Sequence, residues 1–116
     1  MTVVTYGNYD DRCFFEVSGH ACGEAMQMPV EGIGDGESSL ACAAASILVL
    51  TAAEKIERMQ SEGAFIGSSI TVEDGYAGFD LEVREERAEE LQSVLDTLIL
   101  GFELLEENYP ECVSVR

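Results

Sequence analysis

Leu40-Ala41-Cys42-Ala43-Ala44-Ala45-Ser46-Ile47-Leu48-Val49-Leu50-Thr51-Ala52-Ala53 is the longest charge-free run in the chain. It contains no glycine or proline and predicts a helix from Leu40 to about Gln60, charged from Glu54, Lys55, Glu57 and Arg58 onward. Because its first half is apolar on every side, that half is expected to be buried nearly all round. With Ser38 or Ser39 as N-cap, Cys42 falls in the first helical turn, where unpaired backbone N–H groups favour an anion. Ser46, four residues on, shares its helix face.

Working outward toward the N-terminus, residues 21–37 hold Gly23, Gly32, Gly34, Gly36 and Pro29 and show no periodicity. A structureless stretch of this length in a compact domain reads as a functional cover, with Met26 and Met28 as an adaptable apolar lip. Before it, Thr2 to Tyr6 is β-branched and aromatic, and 7–11 reads as a turn. Arg12 to Ser18 then alternates Cys13, Phe15 and Val17 against polar neighbours. This hairpin delivers Gly19 and the only histidine, His20.

Toward the C-terminus, Gly63 stops the helix. Phe65 to Val72 and Tyr76 to Val83, joined by Glu73-Asp74-Gly75, predict a second hairpin with Ala77, Phe79, Leu81 and Val83 on its buried side. Glu85 to Asn108 is an amphipathic helix with a stripe of Leu91, Val94, Leu95, Leu98, Phe102 and Leu105. Glu103, Glu106 and Glu107 at its end oppose the helix dipole. Tyr109-Pro110 ends it, and Cys112 to Val115 is a short strand. The order ββαββαβ predicts an α+β fold, an antiparallel sheet with two helices on one face, as a single domain over 1–116.

The 23 acidic and 6 basic residues give a formal charge of −17. Such a field repels nucleic acid and anionic membrane and attracts a basic protein. No apolar run reaches membrane-spanning length and the first residues do not resemble a signal peptide, so a cytoplasmic protein is expected. Four cysteines without C-x-x-C spacing are expected to be thiols. His20-Ala21-Cys22, with Cys42 as a third ligand, is too sparse for a zinc site, and no cofactor or metal is expected.

Cysteine attacks carbonyls as the thiolate, so a nucleophile needs an imidazole or a helix N-terminus beside it. Taken alone, Cys42 reads first as a small buried residue among alanines. The combination of Ser18-Gly19-His20-Ala21, Cys42-Ala43-Ala44-Ala45-Ser46 and Gly101-Phe102 with Tyr109-Pro110 resembles the bacterial ribosomal-processing cysteine protease family, Prp. The resemblance implies a dimeric cytoplasmic endopeptidase that trims the N-terminal extension of large-subunit ribosomal protein number twenty-seven. It also implies a dyad of Cys42 and His20, supported by Gly19 and Ser46 and with a basic ribosomal precursor as partner. Family members usually carry an aspartate three residues before the cysteine, where this chain has Ser39, and their loop is shorter. Asp35 and Glu37 are the carboxylates at hand to orient His20 or bind substrate from a shifted position. The rival readings are an inactive relative that binds the ribosomal protein without cutting it, and a small acidic binding or metal-binding module.

Overall fold

The computed structural model describes residues 1–9, 12–19 and 36–116, with the side chains of Tyr9 and of 36–39 left out of the description. Its elements run β1 (Thr2–Tyr9), β2 (Arg12–Ser18), α1 (Gly36–Ser61), β3 (Phe65–Glu73), β4 (Tyr76–Val83), a 3₁₀ turn (Glu85–Arg87), α2 (Ala88–Asn108) and β5 (Val113–Val115). The order is the expected ββαββαβ. The sheet order is β3-β4-β2-β1-β5, antiparallel throughout except that β5 lies parallel to β1.

Strand alternation decides which face of the sheet carries the helices. Cys13, Phe15 and Val17 of β2 and Ala77, Phe79, Leu81 and Val83 of β4 are all buried, while Arg12, Phe14 and Asp80 are exposed on the other face. Phe15 sits at the centre of the core, stacked on Phe79 at 5.9 Å between ring centroids and tilted against Phe102 of α2 at 6.0 Å. Each such pair contributes about 0.5–1.5 kcal/mol beyond its buried area. Five of the six residues in the expected α2 stripe are buried, and Ile99 joins them, while Val94 is half-buried.

Two expectations for the helices are corrected. First, α1 begins at Gly36, so Ser38 and Ser39 lie within it and Cys42 stands at its seventh residue, in the second turn. Second, the apolar half of α1 is not buried all round. Ala41, Cys42, Ala45 and Ala52 are buried, whereas Leu40, Ile47 and Leu50 are 61%, 59% and 57% exposed. The helix packs against one sheet and one neighbouring helix, and that two-layer arrangement leaves its outer side uncovered. At the end of α2 the Glu106 carboxylate accepts a hydrogen bond from the Val115 N–H at 3.1 Å, tying β5 to the helix.

The last segment closes the sheet beside the first. Thr2 N–H donates to the Cys112 carbonyl at 2.8 Å and Arg116 N–H to that of Val4 at 2.9 Å. Cys112 is disulfide-bonded, which corrects the expectation of four thiols, while Cys13 is a buried thiol. No helix among the described residues is long and apolar enough to cross a membrane.

Candidate active site

Cys42 and Ser46, one turn apart on α1, both line a cavity of about 250 Å³ between that helix and one end of the sheet. Val49 and Leu50 extend the helical wall. The opposite wall comes from Val17 and Gly19 at the end of β2, from Thr2 at the start of β1, and from Val72, Glu73, Gly75, Tyr76 and Ala77 around the turn between β3 and β4. The lining is mainly apolar, and Glu73 is the one charged side chain on it among the described residues. Cys42 carries a thiol rather than half a disulfide and is 7% exposed, so a substrate must enter the cavity to reach its sulfur.

Gly19 has a specific reason to be glycine. Its φ is +84°, in the left-handed region, and a Cβ there would collide with the Met1 carbonyl oxygen. Its N–H donates to the Gly75 carbonyl at 2.8 Å, which pins the end of β2 against the β3–β4 turn at the cavity wall. The next residue, His20, lies outside the described residues, as do Asp35 and the glycine-rich segment expected to act as a gate. Glu37 and Ser39 fall in the first turn of α1 by backbone.

The placement of Cys42 alters one element of the expected chemistry. The unpaired N–H groups of α1 belong to residues 36–39, about 5–9 Å of helix rise before Cys42. Dipole stabilisation fades within the first turn, so the helix end acts more weakly on the sulfur than the sequence suggests.

Thr2, Glu73 and Tyr76 were not singled out by sequence, because each reads there as an ordinary strand or turn residue. Thr2 is a polar residue only 2% exposed, and Tyr76 is half-buried with its hydroxyl donating to Glu16 Oε2 at 3.4 Å. Burial, followed by the nearby charges of Glu16 and Glu73, pushes the Tyr76 phenol up. Burial likewise raises the Cys13 thiol, with Asp80 adding to the effect, so the second described thiol stays protonated. No three potential metal ligands among the described residues converge on one point.

A sequence profile of the family described as cysteine protease Prp matches residues 1–114. No curated protein sequence matches the chain. Among solved structures, the chain resembles an essential ribosomal processing protease Prp from S. aureus in complex with a substrate peptide. The identity is 17%, the TM-score 0.64, and the alignment covers 100% of this chain and 98% of that one. The same protease with a covalently linked product peptide aligns at 18% identity and a TM-score of 0.62, covering 100% and 98%. A Streptococcus mutans protein aligns at 22% identity and 0.64, covering 100% and 96%. At these identities the solved structures establish a shared fold, and the profile match over nearly the whole length establishes membership: the chain belongs to the cysteine protease Prp family.

Proposed function

We propose that residues 1–116, as one protease domain, remove the N-terminal extension of large-subunit ribosomal protein number twenty-seven in the cytoplasm, with Cys42 as nucleophile and His20 as base. The observation that carries this reading is the position of Cys42 and Ser46 on the wall of a peptide-sized apolar cavity, in a chain of this protease family. The S. aureus relative is described as a ribosomal processing protease with a substrate peptide and with a covalently linked product peptide, consistent with a thiol that bonds to the cleaved chain. The charge of −17 suits a basic ribosomal precursor.

The chemistry follows from the residue types. His20 takes the Cys42 proton, and the thiolate adds to the scissile carbonyl carbon to give a tetrahedral intermediate. The C–N bond breaks as His20 returns the proton to the leaving amine, and water then hydrolyses the thioester to release the N-terminal peptide. With Cys42 in the second turn, the imidazole rather than the helix end supplies most of the thiolate's stabilisation. Gly19 places the chain leaving β2 at the cavity, and Ser46 lines the same cavity one helical turn from Cys42. Asp35, Glu37 or Ser39 serves in place of the family's usual aspartate.

The active form is a homodimer. The outer side of the helical layer exposes Leu40, Ile47 and Leu50 from α1 and Leu100 and Leu104 from α2, each more than half accessible. Large apolar side chains exposed on both helices suit burial against a second copy of the chain.

Incubation with the precursor protein, followed by intact-mass measurement, tests the reading. Loss of one discrete N-terminal peptide with the parent chain, and none with Cys42→Ala, is expected. An uncut precursor that still binds would identify a non-cutting relative.

A further inference from the structure

The free edge of β3 runs along the helix that carries Cys42. Phe65–Glu73 is the outermost strand of the sheet, paired on one side only, with β4. From Ser68 to Glu73 it holds no lysine, no proline and no bulge, the register shift lying earlier, between Phe65 and Gly67. A sheet edge left this bare invites another strand.

The hydrogen-bond ladder tells which of its backbone groups are unpaired. Gly19 N–H donates to the Gly75 carbonyl, and counting in twos from that bond, Ala77, Phe79 and Leu81 of β4 turn their N–H and C=O groups to β2. Tyr76, Gly78 and Asp80 therefore turn theirs to β3, where they meet Glu73, Thr71 and Ser69. Left over are Ser68, Ile70 and Val72, whose N–H and C=O groups point away from the sheet, and no group among the described residues bonds them.

The same three residues face the helical layer, opposite Leu81, Phe79 and Ala77, which are buried on that side. On α1, Cys42, Ser46, Ala53, Glu57 and Gln60 share one flank, within about 60° of one another at about 100° per residue. Two contacts set this flank beside the strand. At one end Cys42, Ser46 and Leu50 share a cavity with Val72 and Glu73, and at the other the Gln60 amide donates to the Ser68 hydroxyl at 2.9 Å. From Leu50 to Gln60 the helix rises about 15 Å and from Val72 to Ser68 the strand runs about 13 Å, so flank and edge stay abreast. The strip between them begins at the Cys42 cavity and continues down the bare edge. Glu73 at the cavity and Glu57 on the flank border it, and among the described residues no cation pairs with either. Unpaired backbone groups flanked by carboxylates suit an extended basic peptide.

We propose that the peptide cleaved at Cys42 binds as a sixth strand on the free edge of β3, bonded through its backbone to Val72, Ile70 and Ser68 in turn. The occupant rests on the protease reading, and its position rests on the ladder.

Amide-to-ester replacement tests it, in a fluorescent peptide spanning the extension junction of the precursor, with Kd read by anisotropy on the Cys42→Ala variant. Each ester removes one N–H donor and keeps the chain's shape. Along the segment on β3, esters at alternate positions are expected to weaken binding about fivefold and those between them less than about twofold, because every second peptide N–H faces the strand. Ile70→Pro removes an outward N–H without breaking the β3–β4 ladder, and is expected to weaken the all-amide peptide about tenfold with circular dichroism unchanged. A flat ester scan, no measurable binding, or full affinity in a folded Ile70→Pro overturns the proposal. A flat scan together with a light-scattering mass that falls in Ile70→Pro gives the edge to a second copy of the chain instead. Cleavage by the parent chain judges the protease reading apart. Cutting with a flat scan keeps that reading and removes the strand, whereas an alternating scan without cutting keeps the strand and removes that reading.

Discussion

Replacing Gly19 by alanine isolates how the fold holds the end of β2 at the cavity. With φ at +84°, an alanine there costs about 1–2 kcal/mol for the left-handed backbone alone. Its Cβ also occupies the space of the Met1 carbonyl. Met1 must swing away, and the nearby bond from Thr2 N–H to the Cys112 carbonyl, 2.8 Å long, is strained or lost at a further cost of about 1 kcal/mol. The total is about 2–3 kcal/mol, a substantial fraction of a small domain's stability.

Gly63 supplies the control. Its φ of +78° is nearly the same, but nothing lies within 4 Å of a Cβ placed there. Gly63→Ala should therefore lose only the backbone part, about 1–2 kcal/mol. Urea unfolding of both variants measures the difference, which is the cost of the Met1 contact. Precursor processing should fall with Gly19→Ala at concentrations of urea too low to unfold it, and should be unchanged with Gly63→Ala. Equal destabilisation by the two, or full processing by a destabilised Gly19→Ala, would refute the argument that this glycine positions the cavity wall.

Three further outcomes are expected from the same structure. Iodoacetamide with mass-spectrometric mapping should label Cys42 well ahead of Cys13, whose burial keeps it protonated, and His20→Ala should remove that preference. Ile47→Asp and Leu104→Glu, both at exposed positions, should leave the fold intact while light scattering shows dimer converting to monomer; an unchanged mass would place the interface elsewhere. The Glu90 carboxyl is held low, chiefly by its hydrogen bond from Arg87 at 2.6 Å. Its contribution is therefore present above the ordinary carboxylate pKa and lost as pH falls through the lowered one, so the stability gap between the parent and Glu90→Gln should close in acid.

Much of the fold was legible because period and placement agreed. The alternation in Arg12–Ser18 and Tyr76–Val83 fixed one buried face for each strand, and the structure buries those residues. In the Gly101-Phe102 pair, a Cβ at Gly101 would press on Leu48 of α1, while Phe102 is fully buried against Phe15. The site was legible only in part. Cys42, Ser46 and Gly19 were found by motif and share one cavity, but Thr2, Glu73 and Tyr76 reach it through a β1–β5 closure and a hairpin end that local pattern does not encode. The parallel pairing of β5 with β1 escaped for the same reason: three residues carry too little pattern to fix a direction.

The misreading of α1 comes from treating apolar residues as equivalent. On this helix the face decides: Ala41, Cys42, Ala45, Ala52, Ile56 and Met59 are buried against the rest of the fold, while Ala43 is exposed. Leu40, Ile47 and Leu50 face outward. A hydrophobic count cannot distinguish such a helix from one buried on all sides, because it does not say which residues share the inward face. Small inward residues let the helix approach its neighbours closely, and this brings the backbone carrying Cys42 near Val17 and Ala77 with a cavity between them. Large outward residues exceed what one chain can cover, and Leu50 belongs to both the cavity wall and the outer face. The helix that carries the nucleophile is thus also the helix that a second copy would cover. On the dimer reading, Leu50→Asp should lower processing and shift the monomer–dimer balance together, whereas Leu104→Glu, outside the cavity lining, should lower processing only as far as it dissociates the dimer. Processing by Leu104→Glu that stayed high in a fully monomeric sample would separate the two roles and leave the outer face with no part in the reaction.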